Sequence, residues 1–211
     1  MTATAPHALK PRKAPVQTRS IITVEAITEA TIQVLLSHGM DRLTTTLVAE
    51  RAGVSVGTLY QYYPNKRSLL SAMLEQKMEE VSLAVEVACR EARGKPLAEM
   101  MHHVVERFID AKMARADIST ALYRISADVG GPELVKRVEA RALRALTGML
   151  ATASDAGSKS DRFAVTVMLA SMSGATRSVL ETGASPSMVR KLREHLVLLC
   201  ESYVTALAAR P

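Results

Sequence analysis

The segment from Gly53 to Lys66, GVSVGTLYQYYPNK, concentrates the side chains with the clearest chemistry in this sequence. It holds three of the five tyrosines of the chain and no acidic residue, although the whole chain has 21 Asp and Glu. Hydroxyl and amide groups can donate to phosphate oxygens or contact base edges, and the absence of carboxylates avoids repulsion. The pattern indicates a surface that faces nucleic acid. Core packing is the alternative for each tyrosine ring.

The residues around this segment predict two short helices joined by a sharp turn, as in a helix-turn-helix. Thr44 or Thr45 can cap the first helix, Gly53 breaks it, and Ser55 can cap a second helix that ends before Pro64. Small and apolar residues hold the two helices together: Val48, Ala49, Ala52, Val54 and Leu59. The side chains predicted to face solvent on the second helix are Ser55, Val56, Gly57, Thr58, Tyr60, Gln61 and Tyr62.

The run TTTLVAERAGVSVGTLYQYYPNKRSLL, residues 44–70, resembles the N-terminal domain of the TetR family of bacterial transcriptional regulators. The resemblance covers roughly residues 19–75 and implies a double-stranded DNA partner. It implies phosphate contacts from Thr45, Tyr60 and Lys66. It also implies base-edge or groove contacts from Thr46, Val56, Gly57, Thr58 and Tyr62, with Gln61 as the alternative to Tyr62 in reading a base. For Tyr63 we favour the core.

The basic residues of the chain are concentrated at its N-terminal end. Residues 1–70 hold eight Lys and Arg against four Asp and Glu, out of 27 and 21 in the whole chain of net charge +6. A basic end favours a polyanionic partner, although a mild excess can equally serve solubility. We predict three parts: a flexible basic arm over 1–18, a helix-turn-helix domain over 19–66, and a helical ligand-binding and dimerisation domain over 67–211.

Helical periodicity runs through the remainder, and no alternating strand pattern of useful length interrupts it. The sequence predicts an all-α fold of about nine helices, the first of which ends at Gly39. The N-terminus lacks the apolar core of a signal peptide, and the charge-free stretch from Phe163 to Thr176 is too short and too polar to cross a bilayer. We therefore expect no membrane partner and a cytoplasmic, nucleoid-associated protein.

The last two predicted helices carry features of a subunit interface. Small residues recur four apart at Ala170 and Gly174 and at Ser171 and Ala175, and an apolar stripe follows the final helix. The family resemblance implies a homodimer through these two helices, bound to a near-palindromic operator. It also implies a small-molecule inducer, and repression as the usual mode of the family.

Between the two ends of the chain, several residues are candidates for an inducer site, with plain core packing as the alternative, or for Arg177 a solvated position or an ion pair. They are Met100, His103, Phe108, Tyr123, Met168, Met172 and Arg177. Glu99 and His103 share one helix face, but no third metal ligand is identifiable, so we predict no metal and no other cofactor. No phosphate-binding glycine loop or nucleophile elbow is present, and we predict a non-enzyme. A helical scaffold, or less plausibly a helical enzyme, remains the alternative.

Overall fold

The computed structural model describes residues 18–155 and 161–209, and within them every regular element is helical. The prediction of an all-α fold is confirmed. The predicted basic arm lies outside the described residues except for Thr18, where the first helix begins. The helices are α1 Thr18–Arg42, α2 Thr45–Arg51, α3 Val56–Tyr62, α4 Lys66–Glu91, α5 Leu97–Met113, α6 Ala116–Ile125, α7 Gly131–Leu150, α8 Arg162–Glu181 and α9 Pro186–Ala208, with a 3-10 helix at Ser126–Val129.

Polar side chains fix several helix starts, because they accept hydrogen bonds from backbone N–H groups that have no partner inside the helix. Thr44 accepts from the N–H of Leu47, and Ser55 accepts from the N–H of Thr58. Asn65 accepts from the N–H of Ser68 at 2.8 Å. These three caps set the boundaries of α2, α3 and α4.

The first of two compact units consists of the chain up to Lys77 together with Ala121–Leu134. Its interior includes Ile27, Val34, Leu43, Val48 and Leu59, each no more than 1% exposed. Gly39 interrupts α1 with φ of 75° and ψ of 176°. This combination is open almost only to glycine, so the helical geometry is interrupted at Gly39, where the sequence predicts the end of the first helix.

The second unit consists of Met78–Thr120 and Val135–Pro211. Helices α5, α8 and α9 pack against one another around a large apolar cluster. An ion-pair group joins α9 to α5, since Arg193 binds Glu106 and also Asp110, the latter at 2.8 Å. The division into these units differs from the boundary that we predicted between residues 66 and 67, which stays a prediction.

Two helices of the described chain are long and apolar enough to cross a membrane: Ser20–Arg42 and Arg162–Glu181, each with a mean hydropathy of 1.3. The charge-free stretch from Phe163 to Thr176, judged above too short to cross a bilayer, is only part of this helix, which extends from Arg162 to Glu181. Length and composition are weak indications here, because core helices of water-soluble proteins pass the same test. Only 33% of the apolar window of α8 is buried, so much of this helix has an apolar surface without cover.

Candidate nucleic-acid interface

The turn between α2 and α3 is built from two backbone hydrogen bonds and one glycine. The N–H of Gly53 donates to the carbonyl of Glu50 at 3.1 Å, and the N–H of Val54 donates to the carbonyl of Ala49 at 3.0 Å. This pair is a Schellman motif, which requires a positive φ at its central residue. Gly53 has φ of 66°. A Cβ at Gly53 would meet no atom within 4 Å, so lack of space does not require glycine here. Glycine is required because of the positive φ alone.

Helix α3 has no acidic residue in its first turn and begins at the cap that Ser55 provides. The Ser55 and Thr58 hydroxyls are also 2.8 Å apart, so they orient each other at the N-terminal end of the helix. Of the residues predicted to face solvent, Ser55, Gly57, Tyr60 and Gln61 are exposed, and Val56 and Thr58 are half-buried. Helix α3 thus presents small, polar and uncharged groups.

Tyr60 and Thr45 meet although 15 residues separate them. The Tyr60 hydroxyl lies 3.1 Å from the Thr45 hydroxyl, and the Tyr60 side chain is 41% exposed. Thr46, which follows Thr45 in the sequence, is exposed to solvent. Two of the three residues that the family resemblance implies as phosphate contacts are therefore neighbours across the helix-turn-helix, with one hydroxyl hydrogen still free to donate outward.

The other two tyrosines point into the first unit. Tyr63 is 5% exposed, its hydroxyl bonds to Thr28, and burial raises its pKa, which agrees with the predicted core position. Tyr62 is only 8% exposed, so its predicted place on the solvent face of α3 was wrong. Its position follows helical spacing, because Tyr62 lies three residues after the fully buried Leu59 and shares its face.

Lys66 has a structural partner as well as its predicted role. Its ammonium group donates to the carbonyl oxygen of Met40 at 3.2 Å, close to the end of α1. This carbonyl also accepts from the N–H of Leu43 at 3.3 Å, and a lysine beside the carbonyl groups of a helix C-terminus stabilises that helix end. An ammonium group has three donors, so contact with a phosphate remains compatible with this bond.

The seven residues predicted for an inducer site do not form one group. Met100, Phe108, Met168 and Met172 belong to the buried cluster of the second unit, and Tyr123 belongs to the first unit. His103 bonds to Glu91 at 2.8 Å, and the exposed Arg177 bonds to Glu181 at 2.7 Å on its own helix. The four apolar residues match the alternative of core packing.

A metal site is not apparent in the described part of the chain, where no three His, Cys, Asp or Glu side chains are grouped to hold an ion. Glu99 and His103 share a face of α5 as predicted, but His103 faces Glu91 of α4. Neither cysteine is a reactive candidate, because burial raises the pKa of Cys89 and of Cys200 to about 12.

The sequence analysis missed a group of arginines that lines an open cleft in the second unit. They are Arg90 and Arg93 at the end of α4 and Arg141 and Arg144 on α7. A signal was present on α7, because Arg141 and Arg144 recur at a spacing of three residues and so lie on one helix face. What the sequence could not indicate is that Arg90 and Arg93, at and just after the end of α4, line the same cleft.

Comparison with known proteins gives two family matches. Residues 27–73 match the model of bacterial regulatory proteins of the tetR family, and residues 96–203 match a tetracyclin repressor-like C-terminal domain. The second match alone spans more than half of the 211 residues.

Among individual proteins, the transcriptional repressor KstR of Mycolicibacterium smegmatis is 33% identical over 90 residues, which is 43% of this chain and 41% of KstR. The matched part thus spans less than half of that relative. The fatty acid degradation regulator FadR of Bacillus halodurans shares the fold, with a TM-score of 0.68 at 18% identity, over 90% of this chain and 96% of FadR. LfrR of Mycobacterium smegmatis, solved in complex with proflavine, gives 0.56 at 23% identity over 84% and 96%.

Proposed function

The chain belongs to the TetR family of bacterial transcriptional regulators, and we propose that it represses transcription by binding a near-palindromic operator as a homodimer. A small-molecule inducer releases it from the DNA, and the protein acts in the cytoplasm at the nucleoid. The observation that carries this proposal is the exposed, acid-free surface of α3 with the Thr45–Tyr60 hydroxyl pair beside it.

The contact surface consists of the residues that remain accessible around this pair: Thr45, Thr46, Ser55, Val56, Gly57, Thr58, Tyr60, Gln61 and Lys66. Hydroxyl groups on α2 and α3 would fix the position of the protein on the phosphate backbone, while the small residues of α3 would approach base edges. The buried ring of Tyr62 packs beneath this surface and does not contact solvent to any large extent.

Gly57 supports a close approach by another molecule. A Cβ at this position would meet only the Ser55 hydroxyl oxygen, at an ordinary 3.7 Å, so no intramolecular contact requires glycine. Glycine inside a helix is less favourable than alanine by up to about 1 kcal/mol. A helix that keeps this unfavourable residue on its exposed face gains room there for a partner such as the edge of a DNA groove.

The exposed apolar face of α8 and α9 supports the homodimer. Phe163 is 73% exposed, Val167 38%, Leu198 61% and Leu199 44%. Gly174 lies on an exposed part of α8, and a Cβ there would meet nothing within 4 Å. Small residues and unpaired apolar side chains on two adjacent helices suit a four-helix contact with a second copy, which would bury both faces.

The inducer is the least defined component. LfrR was solved with proflavine, and a family relative with a bound small molecule makes an inducer a reasonable expectation here. A ligand changes DNA affinity only through unequal affinity for two conformations of the protein. In the second unit the candidate residues Met100, Met168 and Met172 are at most 1% exposed, so a ligand among them would have to displace existing core packing.

Fluorescence anisotropy with the DNA fragment upstream of the protein's own coding region tests the proposal. We expect tighter binding to this fragment than to a shuffled one of equal length, and a logarithmic affinity that falls linearly with the logarithm of salt concentration. Equal affinity for both fragments at every salt concentration would contradict sequence-specific repression. That result would favour the alternatives of a helical scaffold or an enzyme.

Sedimentation of Leu198→Glu tests the dimer, with Leu83→Glu as the matched control. Both leucines are exposed, 61% and 54%, and both changes introduce one carboxylate, but Leu83 lies on α4. We expect the Leu198 variant to sediment as a monomer and to lose at least ~100-fold in operator affinity, because a half-site alone binds weakly. A dimer that survives in the Leu198 variant and dissociates in the Leu83 variant would assign the interface to α4.

A further inference from the structure

The arginine cleft lies between α4 and α7 within the second unit. Its volume is about 400 Å³, within the range of small-molecule pockets. The side of α4 and the residues that follow it contribute Glu86, Cys89, Arg90 and Arg93, and α7 contributes Arg141, Arg144, Ala145 and Gly148. None of these residues belongs to the predicted DNA surface or to the predicted inducer site.

Two cross-links define how the walls of the cleft are aligned. Arg141 donates to Glu86 at 2.8 Å, and Arg93 donates to the carbonyl of Gly148 at 3.0 Å. Both links join residues 55 apart in sequence, so α4 and α7 run side by side in the same direction. Arg141 also binds Glu79, which lies two helix turns before Glu86 along α4. The walls are therefore fixed in register before any ligand binds.

The charges of the cleft are unbalanced. Four guanidinium groups face one lining carboxylate, Glu86, and that carboxylate is already bonded to Arg141. In the described ranges, Arg90 and Arg144 form no ion pair, and Arg93 donates only to the backbone carbonyl of Gly148. The pKa of Glu86 is lowered mainly by the hydrogen bond from Arg141 and to a smaller extent by the positive charge of Arg90, which therefore acts on the interior of the cleft. Three cationic groups thus surround the same space without a carboxylate of their own.

The remaining lining is small and neutral. Ala145 and Gly148 leave room, and the buried Cys89 thiol stays protonated because burial raises its pKa to about 12. No second acid of the lining competes with an incoming anion. Guanidinium groups offer paired N–H donors that match the oxygens of phosphate and carboxylate groups, so the lining is selective for anions that carry several such oxygens.

We propose that this cleft is a binding site for a small multivalent anion of the phosphate-ester or polycarboxylate type, held by Arg90, Arg93 and Arg144. Arg141 acts as a positioning residue, because it holds Glu86 away from the anion and fixes the register of α4 and α7. The site stands independently of the proposed repression, since its ligand and its residues are separate from the DNA surface.

Calorimetric titration of the full chain with inorganic pyrophosphate and with citrate tests the site. We expect saturable binding of at least one of the two, weakened by added salt, and no binding of uncharged glycerol. Arg90→Gln and Arg144→Gln should each weaken binding about tenfold, as expected for loss of a charged hydrogen-bonding group. Arg190→Gln, which neutralises an exposed arginine of α9 outside the cleft, should leave the affinity unchanged. Thermal unfolding checks that every variant is folded.

Three results would overturn the proposal. The wild-type protein could bind neither pyrophosphate nor citrate in the millimolar range, or the Arg190 variant could lose as much affinity as the cleft variants. The Arg90 and Arg144 variants could also lose affinity for DNA while their pyrophosphate binding is unchanged, which would assign these arginines to nucleic acid. Because the titration contains no DNA, failure of the operator experiment leaves its outcome intact.

Discussion

The surface around α3 and the interior of the second unit use their side chains in opposite ways. Around α3, hydroxyl groups from Thr45, Ser55, Thr58 and Tyr60 pair with each other and remain within reach of solvent. In the second unit, the candidate methionines Met100, Met168 and Met172 are packed into the core, and Arg177, the most exposed polar group in the candidate inducer set, bonds along its own helix. The polar groups of the first region are thus already ordered and accessible, whereas a ligand among the candidate residues of the second region would have to displace core packing.

Truncation of a core methionine gives the largest effect that this contrast predicts. We expect Met172→Ala to lower the free energy of unfolding by about 2–5 kcal/mol, because removal of a buried side chain leaves a cavity. Denaturant titration measures it, with Met188→Ala at a half-buried position of α9 as the control and a smaller loss expected there. An unchanged stability of the Met172 variant would indicate that the side chain lines a loose pocket already present.

Enlarging Gly57 tests whether the α3 surface is formed for a close partner. We expect Gly57→Leu to weaken operator binding about 100-fold, the range of losses caused by disruption of specific DNA contacts. Stability should not fall, because leucine is a better helix former than glycine and the site is open. Anisotropy and thermal unfolding measure the two quantities.

Gly53→Ala provides the contrasting change four residues before Gly57 in the same motif. Its φ of 66° is unfavourable for alanine, so we expect a stability loss of about 1–2 kcal/mol. The operator affinity of the folded fraction should remain close to that of the wild type. If both glycine variants lost stability alone, α3 would have no role in close contact with DNA.

The two tyrosines of α3 make a smaller and sharper test. We expect Tyr60→Phe to weaken operator binding about tenfold, because it removes an exposed hydroxyl donor without changing the ring. Tyr62→Phe on the same helix should change it less than about twofold, since that side chain is buried. An equal loss in both variants would restore Tyr62 to the contact surface.

The smallest predicted effect is on the pH dependence of thermal stability, through the Arg141–Glu86 ion pair of the arginine cleft. The hydrogen bond from Arg141 lowers the pKa of Glu86 below its ordinary value of 4.5. A carboxylate with a lowered folded-state pKa stabilises the protein above its unfolded-state pKa, and this stabilisation is lost as the pH falls through the folded-state value. We expect Arg141→Gln to have a lower melting temperature than the wild type near neutral pH. The difference should shrink below about pH 4.5, and a constant difference would contradict the assignment.

Interactions across short sequence distances explain what could be predicted. The caps at Thr44, Ser55 and Asn65 and the turn at Gly53 each involve residues within five positions, so their chemistry is visible in the sequence. The burial of Tyr62 could also have been inferred, because its spacing from Leu59 puts both on one face. The all-helical class follows in the same way from periodicity.

The remaining features depend on which helix faces meet, and periodicity leaves that open. Arg141 reaches Glu86 across 55 residues and Arg193 reaches Glu106 across 87. Whether His103 would face a ligand or Glu91 likewise depended on the packing of α5 against α4. A residue that the sequence suggests for a binding site, such as His103, can therefore form a hydrogen bond within the fold instead. Residues without a sequence signal, such as Arg90, can line a cleft.

The hydroxyl contact between Thr45 and Tyr60 has a consequence for the thermodynamics of DNA binding. A tyrosine has two rotatable side-chain torsions, and a 3.1 Å hydrogen bond already restricts them in the free protein. The loss of side-chain entropy that usually opposes association is therefore partly incurred during folding. We expect the Thr45→Val variant, which keeps the shape and removes this restraint, to bind operator with a more unfavourable entropy in calorimetry. The Thr45–Tyr60 hydrogen bond thus lowers the entropic cost of DNA binding, because these two side chains are already ordered in the free protein.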